Sequence, residues 1–198
     1  MSLLPIYLYG TDVLREKALP VEDLDGNTIK LIVDMFETME KAHGIGLAAT
    51  QVGVLKRVIA VDITGVDEEG EEITSTTPPK QETTSPQRLV LINPEIVEEE
   101  EDSWSMEEGC LSIPDVRADV DRSETITVRY RDGDFKEALL TADGLLARVI
   151  LHEIDHLEGI LFVDRLSGAK RALLRGKLRA IKNGDVEVGY PVISHAEV

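Results

Sequence analysis

Cysteine is nearly absent from this chain, with Cys110 standing alone among 198 residues. An intrachain disulfide is therefore excluded and a reducing compartment suits the chain. The thiol is then a packed core residue, a nucleophile or a metal ligand. Aromatic residues are scarce at 4%. No run approaches the ~18 consecutive apolar residues of a membrane span. Bases are outnumbered, with 21 Lys and Arg against 38 Asp and Glu for a formal charge of −17. That balance excludes broad electrostatic binding to nucleic acid, because phosphate contacts need a basic face; only a local patch remains compatible. The opening MSLLPIYLYG has neither a basic stretch nor a long apolar core, so no secretory signal or transit peptide is expected. What is present, 42% hydrophobic and 30% charged residues, is ordinary for a globular protein. The length predicts one domain over 1–198.

The charge is segregated. Between Gly65 and Glu108 stand 14 acids and two bases, so this window holds 12 of the 17 net negative charges. Within it, residues 65–87 are polar, rich in Pro and Thr and without an apolar period, which predicts a flexible acidic insertion between two strands. From Arg165 to Lys182 the bias reverses, with seven bases and no acid. Ile29, Ile32, Met35, Phe36 and Met39 recur at helical spacing and predict a helix over 28–42, capped by Asn27 or Thr28. Strands are expected at 57–63, 88–98, 124–131 and 135–141, the last two joined by a turn at Asp132-Gly133. A helix from about Asp143 to Leu157 stops at Gly159. A basic helix over 168–182 packs Leu173, Leu174, Leu178 and Ile181, and DVEVGY forms a short final strand. Strands first and helices late predict an α+β fold.

The segment ARVILHEIDHLEG (147–159) carries the chemistry, because it contains His152-Glu153-x-x-His156. Residues four apart share a helix face, so both imidazoles can reach one metal ion, with Glu153 beside them as a general base. Leu145, Val149, His152 and His156 form one stripe, and burying two His and a Glu without a partner would be costly. A catalytic site of this type needs a third protein ligand. Phe162 occupies the position where a metzincin needs its third His, which excludes that class. The downstream acids Asp185, Glu187 and Glu197 make weak gluzincin ligands. Upstream, Cys110 in EGCLS would complete a thiolate–imidazole set, although a lone Cys is more often a packed core residue than a ligand.

GIGLAATQ (44–51), EGCLS (108–112) and HEIDH (152–156) together resemble the three signature motifs of bacterial peptide deformylases, in the same order and at similar spacing. The resemblance implies an α+β fold with antiparallel strands packed around a central HExxH metal-binding helix. It also implies that Cys110, His152 and His156 bind one divalent metal ion. Ferrous iron is favoured in the cell, and zinc, nickel or cobalt can also occupy the site. Glu153 would be the general acid and base, and the Gln51 amide and Leu111 N–H would form the oxyanion hole. Ile45, Glu108, Leu145 and Val149 would line a pocket for the substrate methionine, Gly44 and Gly46 would let the peptide backbone lie close, Gly109 would also bind substrate, and Arg117 would stand near the entrance. The implied substrate is the formyl-methionyl end of a nascent peptide in the bacterial cytoplasm, with possible ribosome contact through the basic 168–182 helix.

Leu151 departs from the Gln common before HExxH in the family, and a packing or pocket-edge change without loss of activity is expected there. Two competing readings are a zincin-like metallopeptidase with another third ligand, and an inactive deformylase-like scaffold. His43 is expected at a helix C-terminus and not as a ligand, and Trp104 near the strand leading to Cys110. His195 receives no role.

Overall fold

The computed structural model describes residues 2–66 and 87–197, so the expected acidic insertion lies almost entirely outside the described residues. In chain order the elements are β1 (Ile6–Tyr7), α1 (Gly26–Lys41), β2 (Gly46–Ala48), a 3₁₀ turn at Ala49–Val52, β3 (Val58–Asp62), β4 (Arg88–Glu99) and β5 (Ser103–Cys110). They continue with β6 (Ile113–Ser123), β7 (Thr125–Arg131), β8 (Glu137–Asp143), α2 (Gly144–Leu157), α3 (Gly168–Asn183) and β9 (Val192–Ile193). Five strands form a sheet in the order β2-β3-β4-β7-β8, with every neighbour antiparallel. β5 and β6 form a separate antiparallel hairpin, while β1 and β9 pair in parallel. The fold is mixed α/β with antiparallel sheets. Among the described residues no helix is long and apolar enough to cross a membrane.

The five-stranded sheet is covered on both faces. Along β3, Ile59 and Val61 pack with α2, whereas Val58 and Ala60 pack with α1. Successive strand side chains point to opposite faces, so a strand buried on both sides reads as the unbroken apolar run VIAV. α2 is buried from Leu145 through Leu157: its apolar side chains meet the sheet, and its buried Arg148 and Asp155 are paired with opposite charges. A third apolar cluster joins β6 to α3 through Val116, Val120, Leu178 and Ile181.

Local departures from the sequence expectations have physical causes. α1 starts a little early because Asp25, not Asn27 or Thr28, is its N-cap, accepting from the Thr28 N–H at 2.7 Å. The β7–β8 loop spans 132–136, and its positive φ falls on Phe135 at 64° instead of Gly133. Leu173 on α3 is 86% exposed, since Leu174, Leu178 and Ile181 already define the inward stripe. DVEVGY is not a strand. Pairing begins only at Val192, where β1 lies within reach, and residues 187–190 instead wall a cavity.

Candidate functional site

Two elements meet at the motif residues. α2 presents His152 and His156 on one face, with ring centroids 5.1 Å apart. Cys110 ends β5 at the tip of the β5–β6 hairpin, pairing with Ile113 across the two-residue turn Leu111-Ser112. The hairpin register shifts between Glu108 and Cys110, and both side chains reach α2. Cys110 Sγ is 3.2 Å from His156 Nε2, and the ligand atoms of Cys110, His152 and His156 all lie within 4.8 Å of one another. Phe162, the residue that excluded a metzincin, stacks on His152.

This donor set fits a metal ion. One thiol and two imidazoles converge closely enough for a single small cation to touch all three, and sulfur with nitrogen suits zinc or ferrous iron. His156 Nδ1 and Glu153 Oε2 are buried without a hydrogen-bond partner among the described residues. Burial pushes both imidazoles towards neutrality. At His156 that effect prevails, whereas at His152 hydrogen bonds to Cys110 and Glu108 reverse it.

Behind His152 lies a buried charge network. Glu108 Oε2 is 2.8 Å from His152 Nδ1, accepts from Arg122 Nη2 at 3.0 Å, and the same carboxylate accepts from Arg148 Nη1 at 2.9 Å. Arg122 also donates to Asp155 Oδ2 at 2.8 Å, and Arg165 Nε donates to the same oxygen at 2.5 Å. Burial raises the Glu108 pKa, but hydrogen bonds from His152 and Arg122 outweigh it and hold the carboxyl well below the usual range. A His bound to a carboxylate through Nδ1 is fixed in ring orientation, leaving Nε2 for the cluster.

The remaining motif residues surround this centre. Gln51 Oε1 accepts from the Ala48 N–H at 2.8 Å, which aims its Nε2 at Ser112 Oγ, 3.2 Å away, and at Cys110 Sγ, 3.5 Å away. Glu153 is buried next to His152, and desolvation pushes its carboxyl up to about 7 against the opposing charge of His152. Gly46 is required by contact: a Cβ there would collide with Glu153 Oε1 and stand 2.8 Å from Val149 Cγ1. A Cβ at Gly44 would stand 2.7 Å from Leu111 Cδ1.

A cavity of about 500 Å³ opens over the cluster. It is lined by Gly44, Ile45, Gly46, Gln51, Glu108, Gly109, Cys110, Leu111, Arg117, Leu145, Val149, His152 and Glu153, while His156 lies behind it. Arg117 is exposed at the rim, 3.7 Å from Glu107. Leu151 is buried in the α2–sheet core and does not line the cavity. His43 follows α1 with a φ of 55° and lines the rim, and Trp104 lies on β5, as expected of it.

Sequence reasoning missed Arg122, Arg148, Asp155 and Tyr190. Arg148 left a signal, because it is the one charge within the apolar run 145–151 and has to find a partner when buried. Tyr190 left none: it reaches the cavity wall through the path of the chain after α3.

The polypeptide deformylase family profile matches residues 3–172. The chain is 50% identical over 192 residues to a peptide deformylase of Salinibacter ruber, covering 97% of this chain and 95% of that protein. It is 48% identical over 186 residues to a peptide deformylase of Cytophaga hutchinsonii, with 94% of each covered. The crystal structure of a peptide deformylase from Ehrlichia chaffeensis superposes with a TM-score of 0.79 at 36% identity, covering 93% of this chain and 99% of that one.

Proposed function

The chain belongs to the polypeptide deformylase family, enzymes that remove the N-terminal formyl group from nascent peptides, and on that premise we propose roles for the residues of the site. Neither a zincin-like peptidase nor an inactive scaffold is supported. Cys110, His152 and His156 hold one divalent metal ion, ferrous iron in the bacterial cytoplasm, and α2 is the metal-bearing helix. When bound, the metal supplies Lewis acidity and makes water acidic enough to react near neutral pH. The carrying observation is the convergence of one thiol and two imidazoles, with Cys110, His152 and Glu153 lining one cavity and His156 behind it.

Glu153 takes the proton of the attacking water and returns it to the leaving amine, a double duty suited to a carboxyl displaced towards 7 by burial. Gln51 Nε2 and the Leu111 N–H donate to the formyl oxygen as negative charge develops there, and such donors are worth about 10²–10³ in rate. Gly44, Ile45 and Gly46 let the substrate backbone approach, while Leu145 and Val149 offer apolar wall to the methionine side chain. Glu108 and Gly109 line the same cavity from β5, and Arg117 stands at the entrance. The 198 residues act as one catalytic unit.

The decisive experiment measures formate release from a formyl-Met peptide by anaerobically purified protein of known metal content. Release that collapses in a still-metallated Glu153→Ala variant establishes the role of Glu153. Absence of release from folded, metal-loaded wild type would overturn the assignment. A second proposal concerns α3, whose Arg171, Arg175, Arg179 and Lys182 line one groove and face RNA phosphates at the ribosome. Ribosome co-sedimentation at low salt that is unchanged on replacing the three arginines would refute it.

A further inference from the structure

The turn that carries Leu111 is held from outside its own hairpin. The Tyr190 hydroxyl donates to the Leu111 carbonyl at 2.9 Å, and the Tyr9 N–H donates to the Ser112 carbonyl at 2.8 Å. These two donors flank β9 and β1, which pair with each other in parallel, Ile6 opposite Val192 and Tyr7 opposite Ile193. Further backbone bonds run from the Ile6 N–H to Pro191 O at 2.9 Å and from the Leu8 N–H to Ile193 O at 2.8 Å. Strands from opposite ends of the sequence thus form one ribbon that grips both carbonyls of the Leu111-Ser112 turn. Neither carbonyl lies on the β5–β6 ladder, because the two residues are the turn itself.

The grip matters because this turn directly follows Cys110 and itself carries the Leu111 N–H. Resting on the deformylase reading of the site, we propose that Tyr190 is a positioning residue: its hydroxyl fixes the Leu111-Ser112 turn so that the Leu111 N–H meets the formyl oxygen in the transition state. A tight turn has few restraints of its own, and a donor misplaced by an ångström loses most of its effect on rate. Ser112 is restrained in addition through its side chain, which accepts from Gln51 Nε2 at 3.2 Å, so both oxyanion donors are tied to one turn. Burial, with the nearby Cys110 and Asp115, pushes the Tyr190 hydroxyl up to about 12, so it remains a donor at every working pH.

The test is Tyr190→Phe, which deletes the hydroxyl and keeps the ring. Formate release and amide hydrogen exchange are measured on metal-loaded protein of equal occupancy. The expected result is a fall in kcat of roughly tenfold with KM unchanged, together with faster exchange at residues 111–113 and unaltered exchange in β4 and β7. A general role in stability would instead accelerate exchange throughout and leave kcat per folded molecule intact, which overturns the proposal. So does unchanged exchange at the turn, or faster exchange there with full kcat. Tyr190→Leu, which also lacks a donor, carries the same comparison should the Phe variant fold poorly. A wild type that is folded and metal-loaded yet releases no formate would instead refute the deformylase reading, whatever the exchange data.

Discussion

His152 Nδ1 and Glu108 Oε2 lie 2.8 Å apart, and the same carboxylate answers two buried arginines, Arg122 and Arg148. One acid therefore orients a metal-cluster imidazole and neutralises the charges that hold the hairpin against α2. Glu108→Gln is expected to weaken metal binding by about 10–100-fold, as second-layer partners of ligating histidines do. Glu108→Ala leaves both arginines buried without their shared counter-charge and should cost about 3–5 kcal/mol. Chelator competition measures the first effect and urea unfolding the second. A Glu108→Ala variant as stable as wild type would contradict the network.

The contact of Gly46 with Glu153 and Val149 predicts that a single methyl group is harmful. β2 cannot move away without losing its pairing with β3, so Gly46→Ala displaces the Glu153 carboxylate. Rate should fall by roughly 10²-fold, the usual scale for a misplaced catalytic group. Metal content should be unchanged, because Glu153 is not a member of the cluster. Paired formate and metal assays on the variant decide the matter.

Cys110 supplies the only sulfur in the candidate metal cluster found among the described residues. Cys110→Ser should therefore lose most of its bound metal, read by elemental analysis after gel filtration. Chelator treatment should abolish formate release, and ferrous iron or nickel should restore it. Peroxide should inactivate the iron-loaded protein faster than the nickel-loaded one, through loss of the metal and oxidation of the thiolate. Equal inactivation rates would count against the iron assignment.

Acid stability depends on Asp164. Burial raises its pKa, but Arg15 and the Leu161 N–H hydrogen-bond it, and Arg15 and Arg171 add favourable charge, so the net shift is downward from 3.8. A carboxylate depressed on folding adds stability above its unfolded pKa and loses it as pH falls through the folded value. Discounted for solvent screening, the contribution is of the order of 0.5–1 kcal/mol. Asp164→Asn should melt about 1–4 °C below wild type at pH 7, and the gap should narrow as pH falls below 3.8. Calorimetry across that range tests the direction.

Much of the site was legible in one dimension because helix periodicity turns spacing into geometry. His152 and His156, four apart on an apolar stripe, converge for a local reason, and the buried helix around them follows from its composition. The strands at 58–62 and 88–99 were readable for a similar reason, as apolar runs bounded by polar segments. The β5–β6 hairpin was harder, since its buried Val116 and Val120 are set singly between exposed polar side chains, Arg122 is buried though charged, and no long apolar run forms.

The sequence by itself determined the chemistry on offer: two imidazoles and an acid on one helix, one available thiol, and glycines where a backbone has to come close. Only the tertiary structure decided how those groups are held. Glu108 meets His152 across 44 residues, and Tyr190 meets Leu111 across 79. Such pairs depend on how sheet, hairpin and terminal ribbon pack, and long-range packing leaves no periodic trace in the order of the residues.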